Sequence, residues 1–371
     1  MQHLIYHPWL KGRGGAEKVV LEYAKKSEHN VTIATLFYDK EATFEGFKDV
    51  DIEVIGSNKK PSSFVDKGVR FGIGAMLRKL PLEEYDALIV SEAGIGSLIT
   101  LRNHDLPVLA YVHTPLRPAL PEFKEQYRQE KHVAVRPLYD FGINVYNILE
   151  DVGWGYINKV VANSQLTKER IRDKGLRLEN EVEVVNPGAD KVEEKGEYDK
   201  YFFYPSRFRE YKRQDLAIQA FNKADLDDFK LILAGSGQEG PYLEKLREMA
   251  GENVEIRTDV PDKEWNELYQ NAYSVLFLAE KEDWGIVPLE AGMHRKPVIS
   301  VNEGSPKETV KDGETGFLVD ADASKIAEKM RLLANDKDRT VEMGEKGREE
   351  AEKYSWQNFA NKLDEKVMEM H

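Results

Sequence analysis

Residues 273–301 read YSVLFLAEKEDWGIVPLEAGMHRKPVISV and contain two apolar runs, at 273–279 and 296–301. Such continuous apolar runs are typical of strands covered on both faces, as in parallel sheets. Between them, EKEDWGIVPLEAG at 280–292 places Pro288 where the first turn of a helix tolerates it. The stretch therefore predicts a strand–helix–strand unit with parallel strands.

The same alternation of short apolar runs and longer helical patterns extends along nearly the whole chain. Strands are predicted at HLIYH 3–7, VTIATL 31–36, IEVIG 52–56, DALIVS 86–91, PVLAYVH 107–113, KVVANS 159–164, EVEVV 181–185, YFFYPS 201–206, KLILAG 230–235, VEIRT 254–258, YSVLFLA 273–279, KPVISV 296–301 and GFLV 316–319. These are too many strands for one such sheet, and the pattern restarts near residue 200, after the polar segment 186–200. The sequence therefore predicts an α/β fold of two Rossmann-like domains with parallel sheets facing across a cleft, which is the expected binding site.

The composition excludes several classes of protein and of site. A chain of 371 residues, 41% hydrophobic and 32% charged, is typical of a globular protein with two domains. It has no cysteine, which excludes disulfides, thiolate zinc sites and cysteine nucleophiles, and its net charge of −13 argues against nucleic-acid binding. The N-terminus lacks a signal-peptide pattern, and no apolar run approaches the ~18 residues of a membrane span. We expect a cytoplasmic protein whose contact with a membrane, if any, is peripheral.

Two carboxylates flank the Gly-Ile-Val-Pro break in the opening stretch. If a helix begins near Ile286, the amides of Gly285, Ile286 and Val287 are free to meet a phosphate. Glu282 and Glu290 would repel a phosphate, but an ionised carboxylate suits a pair of adjacent hydroxyls. A nucleoside diphosphate sugar, with a diphosphate between two diols, satisfies all of these groups. The alternative is that both acids are solvated surface residues.

Two other turns also suit an anionic ligand. Gly14 and Gly15, in KGRGGAEKVVLEYAKK at 11–26, open an amphipathic helix whose first amides can bind an anion. Arg207 and Lys212 follow the first strand of the second domain, where a guanidinium and an ammonium suit a diphosphate. The alternatives are a helix cap in the first case and a solvated charged turn in the second.

A literal dinucleotide-binding spacing occurs at Gly235, Gly237 and Gly240, with Asp259 about 20 residues farther on. It follows the second strand of its domain, and Pro241 comes directly after the third glycine. Because a lone match of this kind is weak, we favour a tight turn beside a phosphate site over NAD binding, and we expect no cofactor.

AYVHTPLRP at 110–118 places His113 at the C-terminal end of a first-domain strand. A histidine there can donate to a sugar hydroxyl or a phosphate, or can be a satisfied half-buried residue. No zinc-ligand spacing accompanies it. Asp49 and Asp51 flank the start of a strand and do not indicate a metal site, so no metal is expected.

Together these motifs resemble the retaining glycosyltransferases of family 4, which have the GT-B fold of two Rossmann-like domains. The resemblance covers nearly the whole chain and rests on GGAE 14–17, HTP 113–115, VANSQLTKERI 161–171, Arg207 with Lys212, EDWGIVPLEAG 282–292 and NEGSPKETVKDGETGFLV 302–319. Three sites depart from the usual pattern: Trp284 in place of Phe, Gly304-Ser305 in place of Gly-Gly, and Ser206-Arg207-Phe208 in place of Gly-Arg-Leu.

The resemblance implies a role for each site residue. Glu282 would bind donor-sugar hydroxyls and Glu290 the ribose. The residues implied in catalysis, through the diphosphate or the sugar near its reacting carbon, are His113, Arg207, Lys212 and Glu282. The other residues implied to contact the donor are Gly14, Gly15, Asp283, Trp284, Gly285, Ile286, Val287 and Glu290, with Val260, Asp262 and Lys263 at the nucleobase. The implied domains are 1–187 on the acceptor side, 188–354 for the nucleotide sugar, and a C-terminal helix at 355–371 that crosses back onto the first domain.

The implied activity is metal-independent transfer of a hexose, with retention, from a nucleoside diphosphate sugar to a glycan or lipid-linked acceptor. The HTP motif and the segment 136–164 look most like bacterial and archaeal mannosyltransferases that build surface glycans, which favours GDP-mannose. The alternatives are a transferase of the same fold that uses UDP-glucose or UDP-GlcNAc, and a non-catalytic nucleotide-sugar-binding protein.

Residues 64–80, FVDKGVRFGIGAMLRKL, combine apolar side chains with four cations. Such a segment in an acidic protein can dock on anionic lipid. The alternative is a helix packed on the first sheet with a solvated basic edge.

Overall fold

The computed structural model describes residues 1–57, 59, 68–176, 181–235 and 240–371, and for 68–70 it describes the backbone alone. The chain divides into two compact units, one of residues 1–187 with 356–371 and the other of residues 188–355. Part of the predicted basic segment (residues 64–67) and Gly237 of the glycine-rich turn lie outside the described residues.

The first unit is built on one parallel sheet. Its described strands are β1 (Gln2–Tyr6), β2 (Asn30–Thr35), β3 (Asp51–Val54), β4 (Ala87–Ala93), β5 (Val108–Thr114), β6 (Lys159–Ala162) and β7 (Glu183–Val184). They lie in the order β3-β2-β1-β4-β5-β6-β7, and every neighbouring pair is parallel.

The second unit repeats this plan. Its described strands are β8 (Tyr201–Pro205), β9 (Lys230–Gly235), β10 (Val254–Thr258), β11 (Ser274–Phe277), β12 (Val298–Val301) and β13 (Gly316–Val319). They form a parallel sheet in the order β10-β9-β8-β11-β12-β13. Both orders are those of the doubly wound Rossmann sheet. The predicted α/β fold with two Rossmann-like parallel sheets is confirmed, and each predicted strand occurs.

Helices connect the strands. The described α-helices are α1 (Gly15–Lys26), α2 (Gly74–Leu77), α3 (Pro121–Gln129), α4 (Arg136–Trp154), α5 (Gln165–Lys174), α6 (Gln214–Ala224), α7 (Pro241–Met249), α8 (Asp262–Asn271), α9 (Ile286–Met293), α10 (Pro306–Thr309), α11 (Ala323–Asn335), α12 (Lys337–Ala351) and α13 (Trp356–Met368). Shorter helical turns of 3-10 type lie at Glu45–Asp49, Leu82–Glu84, Gly96–Leu101, Arg117–Ala119, Val133–Val135 and Glu210–Lys212. A π-helical segment, Gly68–Ile73, leads into α2.

Strand β8 shows why the strands are apolar along their whole length. Phe202 and Tyr204 pack into one hydrophobic cluster, while Phe203 packs into another. Since successive side chains of a strand point to opposite faces, helices must cover both faces of this sheet. Each sheet also has a switch point, between β1 and β4 and between β8 and β11, where ligands of such folds bind beyond the carboxyl ends of the strands.

The C-terminal helix α13 belongs to the first unit and docks there through a buried carboxylate. Asp364 accepts hydrogen bonds from the hydroxyls of Tyr23 at 2.6 Å and Ser27 at 2.7 Å, and from the amide of Glu28 at 3.1 Å. Across the described parts of the chain, no helix has the length and apolar character needed to cross a membrane.

Candidate active site

The predicted acidic segment lies at the switch point of the second sheet. Helix α9 begins at Ile286, as the sequence predicts, in the crossover that follows β11. The amide of Gly285, however, donates to the hydroxyl of Ser305 at 3.0 Å. The prediction that this amide is free is therefore wrong, because a neighbouring loop already binds it. The next amides, of Ile286 and Val287, are among those that a helix leaves without an intrahelical acceptor.

Lys212 and Glu282 form an ion pair, with the Lys212 Nζ 2.6 Å from Oε2 of Glu282. Lys212 is only 7% exposed. The buried Tyr204 positions its backbone, because the Tyr204 hydroxyl donates to the Lys212 carbonyl and accepts from the Leu278 amide at 3.1 Å. The structure thus brings together a cation and a carboxylate that are 70 residues apart in sequence.

Arg207 follows β8 directly and is exposed. The side chain of Gln214 donates to its carbonyl at 2.9 Å and so fixes the backbone of the turn. No carboxylate among the described residues forms an ion pair with the Arg207 guanidinium. The exposed fork of donors on this side chain suits a bidentate anion such as a diphosphate.

Glu290 lies on α9 and is half-buried. Its Oε2 accepts a hydrogen bond of 2.6 Å from the hydroxyl of Tyr269 on α8. Burial and the Glu290 charge raise the pKa of Tyr269 well above its ordinary value, so the phenol stays a donor. The ring of Tyr269 stacks on His294, with centroids 5.3 Å apart. The hydrogen bond from Tyr269 thus orients the Glu290 carboxylate.

A second loop braces the segment that carries Glu282. Ser305 donates its amide to the Glu282 carbonyl at 2.9 Å, and its hydroxyl accepts from Gly285. Gly304 has a left-handed φ of +71°, and a Cβ there would lie 2.7 Å from the Glu282 backbone. Gly304 is therefore required both for its backbone conformation and for the close approach of the two loops.

The remaining second-unit candidates have different surroundings. Asp283 is buried, and the ring of Trp284 packs into a hydrophobic cluster with Leu289 and Met293. Val260 and Val287 pack against the same hydrophobic cluster of the second unit. Two further candidates are exposed in the first turn of α8, Asp262 and Lys263.

In the first unit, His113 lies at the end of a hydrogen-bonded chain across three strands. His113 Nε2 lies 2.8 Å from the hydroxyl of Ser91, which lies 2.8 Å from Nδ1 of His7. All three side chains are buried. Burial lowers the pKa of both histidines to about 3, so both rings are neutral at physiological pH.

The single proton of Ser91 couples the tautomers of the two rings. The buried Nε2 of His7 has no hydrogen-bond partner within the described part of the chain. A proton on that atom would leave a buried donor unsatisfied, which costs more than an unused lone pair. His7 therefore carries its proton on Nδ1 and donates to Ser91, and Ser91 donates to His113. His113 then carries its proton on Nδ1, which makes this atom the hydrogen-bond donor that the ring offers to a ligand.

Glu92 shapes the loop that follows β4, next to Ser91. Its carboxylate accepts from the amides of Gly94 at 2.5 Å, Gly96 at 3.1 Å and Ser97. Burial raises the pKa of Glu92 to about 7, with a smaller contribution from the nearby Glu150.

The predicted anion site at the start of α1 already contains a carboxylate. Gly14 caps the helix and Gly15 begins it. The side chain of Glu17 folds back so closely that a Cβ on Gly14 would lie 2.3 Å from its Oε2. A phosphate at this terminus would meet the Glu17 charge. In the described residues, no group of three or more His, Asp or Glu side chains has a geometry that could hold a metal ion.

Two family models match successive parts of the chain. Glycosyltransferase Family 4 matches residues 13–193, and Glycosyl transferases group 1 matches residues 187–350. The chain is a glycosyltransferase with one domain of each family.

Curated relatives of this glycosyltransferase include proteins named Alpha-1,3/1,6-mannosyltransferase ALG2. The relative from Dictyostelium discoideum is 24% identical, over 97% of this chain and 96% of its own length. The relative from Mus musculus is 24% identical over 99% and 96%, and that from Eremothecium gossypii is 29% identical over 87% and 74%.

Solved structures share the GT-B fold of this glycosyltransferase. Anabaena HepE, solved in complex with UDP and glucose, superposes with a TM-score of 0.75 at 18% identity, over 99% of both chains. Sucrose-phosphate synthase from Thermosynechococcus elongatus has a TM-score of 0.75 at 16% identity, over 100% of this chain and 99% of its own. The predicted fold and family are confirmed.

Several residues that shape this glycosyltransferase's candidate site were missed by the sequence reasoning. Tyr204, Tyr269 and Ser91 lie in apolar runs or helices, where a hydroxyl gives no sign of its partner. Ser305 was visible as a departure from the family pattern, but its bond to the Gly285 amide was not predicted. His7 directly follows β1, and only the strand order places it beside Ser91.

Proposed function

We propose that this glycosyltransferase moves mannose from GDP-mannose to a hydroxyl of a glycan or lipid-linked saccharide, with retention and without a metal. The observation that carries the proposal is the charge arrangement at the switch point of the second sheet, where exposed Arg207 accompanies the Lys212–Glu282 ion pair. The choice of mannose is supported by relatives named mannosyltransferases, in organisms from slime mould to mouse.

In this proposal Arg207, Lys212 and the amides of Ile286 and Val287 stabilise the departing diphosphate electrostatically. Lys212 would contact the diphosphate while it holds the Glu282 carboxylate in place for the sugar hydroxyls.

The other carboxylate, Glu290, would accept from the ribose with its orientation fixed by Tyr269. Gly14 and Gly15 are proposed to approach the diphosphate with the Glu17 side chain turned away from the helix start, and Asp283, Trp284 and Gly285 to shape the donor pocket. The nucleobase is assigned to Val260, Asp262 and Lys263.

His113 is proposed to donate its Nδ1 proton to the donor sugar. Since no carboxylate is assigned as a nucleophile, the acceptor oxygen would attack the anomeric carbon on the face from which the diphosphate departs. The C–O bond to the diphosphate breaks as the new glycosidic bond forms, and the acceptor proton goes to the departing phosphate oxygen.

We place the reaction in the cytoplasm or at the inner face of the cell membrane, with a membrane contact that includes residues 64–80. In the described part of this segment Phe71 and Ala75 are buried, whereas Ile73 and Leu77 are exposed.

The first test is a donor screen by thermal shift with GDP-mannose, UDP-glucose and UDP-GlcNAc. A ligand that binds only the folded state stabilises it by mass action, so GDP-mannose should give the largest shift. A larger shift with a UDP-sugar would overturn the choice of donor and leave the reaction class intact. No shift and no transfer with any donor would favour a non-catalytic protein.

The second test is Arg207→Ala, with Arg209→Ala as a matched control, since Arg209 is an exposed arginine of the same turn. Loss of one leaving-group donor should lower kcat about a hundredfold, while Arg209→Ala keeps near-normal turnover. Near-normal turnover of Arg207→Ala would contradict its role.

Activity abolished by EDTA and restored by manganese would contradict metal independence.

A further inference from the structure

The long helix α4 exposes an apolar face to solvent. Five side chains on it are exposed, Leu138 by 71%, Phe141 by 64%, Val145 by 38%, Ile148 by 66% and Val152 by 47%. Their spacing of three and four residues places them within an arc of about 80°, along roughly 21 Å of helix. We call these five residues the α4 face.

An ordinary surface helix buries one apolar stripe and exposes its charges. Helix α4 buries such a stripe, with Trp154 in the core and Leu149 packed against it, but it exposes a second apolar stripe in place of charges. The exposed residues of α4 are all uncharged, while its Glu150 is buried and paired with Lys174. An apolar strip of this extent on a soluble surface is typical of an interaction site.

A second exposed apolar element lies at α2. Ile73 and Leu77, at the start and end of α2, are 49% and 62% exposed. Helices α2 and α4 both pack against the 3-10 helix Gly96–Leu101. In that contact the hydroxyl of Thr100 donates to the Gly153 carbonyl at 2.7 Å. Both helices are therefore anchored to the same 3-10 helix of the first unit.

Three cations are gathered at the C-terminal end of this surface. The buried Asn103 donates to the Arg78 carbonyl at 2.8 Å and accepts from the Leu80 amide at 2.7 Å. These bonds tie Arg78 and Lys79 to the end of the 3-10 helix, where Arg102 follows. All three cations are exposed, and none forms an ion pair with an acid in the described part of the chain.

The charges favour a lipid surface over a second copy of the chain. A second copy could cover the α4 face with its own α4 face. The exposed residues of that helix are uncharged, so they would give the three cations no acidic partners. An anionic bilayer suits both the apolar face and the cations, because its interface accepts apolar side chains and its headgroups carry negative charge.

We infer that the α4 face, with Ile73 and Leu77 and the cluster Arg78, Lys79 and Arg102, is a docking surface for an anionic membrane. The inference rests in part on the proposed function, because an acceptor carried by a lipid has to be met at a membrane. Helix α4 would lie in the plane of the interface, with its apolar face among the acyl chains and the cations at the headgroups.

The test is flotation of the full chain with phosphatidylcholine vesicles, with and without about one-third phosphatidylglycerol. Phe141→Ser combined with Ile148→Ser removes the two bulkiest central side chains, and the bound fraction should fall at least about tenfold. Met368→Ser, an exposed apolar residue on α13, is the control and should float like the wild type. Because all three positions are exposed, the folded state should tolerate these changes.

A second variant tests the charges. Replacing Arg78, Lys79 and Arg102 by Gln should remove the preference for phosphatidylglycerol, whereas Lys362→Gln, an exposed lysine on α13, should keep it. Donor binding by thermal shift is measured on every variant and should stay at the wild-type value. Retained donor binding with no flotation of the wild type would overturn the docking surface and leave the proposed function standing.

Two other outcomes are informative. Flotation that depends on the α4 face, without donor binding or transfer, would support docking and overturn the proposed function. A concentration-dependent dimer that Phe141→Ser with Ile148→Ser converts to a monomer, without flotation, would overturn the lipid and assign the face to a second copy.

Discussion

Ser91 holds one proton between two neutral histidines, and this determines what His113 can offer a ligand. With His7 donating to Ser91 and Ser91 donating to Nε2 of His113, the proton of His113 must be on Nδ1. Ser91 and His7 thus act through His113 as positioning residues. The role of His113 toward the donor sugar stays a prediction, but its tautomer follows from the hydrogen bonds and the burial of this chain.

Ser91→Ala removes the bridge, so the His113 ring loses its fixed tautomer. We expect kcat to fall about ten- to a hundredfold, with little change in the KM for the donor. Losses of this size follow when the hydrogen bonds that position a functional side chain are removed. Steady-state kinetics with the preferred donor measure the two parameters separately.

Ser274→Ala is the control, because Ser274 is also a buried strand serine, and its hydroxyl donates to the Pro297 carbonyl at 2.9 Å. It should cost stability without the fall in kcat. Ser91→Thr keeps a hydroxyl and should recover part of the activity. An unchanged kcat for Ser91→Ala would show that the tautomer of His113 is irrelevant to turnover.

At the residue scale, the sequence identifies groups that follow strand ends, because a parallel sheet carries its ligand-binding groups there. Glu282, Arg207 and Lys212 could be named for this reason. Their pairing could not, since the Lys212–Glu282 contact depends on how two crossover loops pack. Tyr204 was assigned to an apolar strand, and only the three-dimensional structure shows its hydroxyl between the backbones of Lys212 and Leu278.

Among the elements, the loop that holds Gly304 and Ser305 positions the acidic segment. Gly304 and Gly313 both have left-handed φ values, +71° and +77°. A Cβ on Gly304 would collide with the Glu282 backbone, whereas a Cβ on Gly313 would meet no atom within 4 Å. Comparison of alanine variants at these two glycines therefore separates the effect of backbone strain from the effect of displacing Glu282.

Gly304→Ala and Gly313→Ala should each lower the free energy of unfolding by about 1 kcal/mol or more, from the left-handed backbone alone. Gly304→Ala should also lower transfer activity at least about tenfold, because the added methyl displaces the segment that carries Glu282. Urea unfolding and the transfer assay measure the two effects. Equal activity of the two variants would exclude a bracing role for this loop.

The elements also show where periodicity misleads. A helical pattern with apolar residues three and four apart predicts that this stripe faces the core. Helix α4 has two such stripes, and only the one with Leu149 and Trp154 packs on the core, while the α4 face is exposed. The pattern cannot distinguish a core from any other apolar partner. The start of α9 was predictable because Pro288 fits only the first turn, whereas the bond from Gly285 to Ser305 joins residues 20 apart and leaves no local signal.

Across the whole molecule, four buried histidines stay neutral in the folded state at mildly acidic pH. Burial lowers the pKa of His3 and His294 from 6.5 to about 4, and that of His7 and His113 to about 3. Glu92 opposes them, because burial raises its pKa from 4.5 to about 7.

These shifts predict that stability falls on mild acidification. As pH falls below 6.5, the histidines take up protons in the unfolded chain but stay neutral in the folded chain. The unfolded state therefore binds more protons and is stabilised relative to the folded state. Glu92 acts in the other direction, since its folded form takes up a proton as pH falls from about 7 toward 4.5. The pKa of the buried Glu150 is also raised, but two carboxyls do not offset four histidines, so the urea midpoint should fall as pH is stepped from about 7 to about 4. His294→Gln should flatten this dependence, whereas His371→Gln, at the exposed C-terminus, should leave it as in the wild type. A midpoint that stays constant or rises over this range would mean that the histidines are not held neutral by the fold.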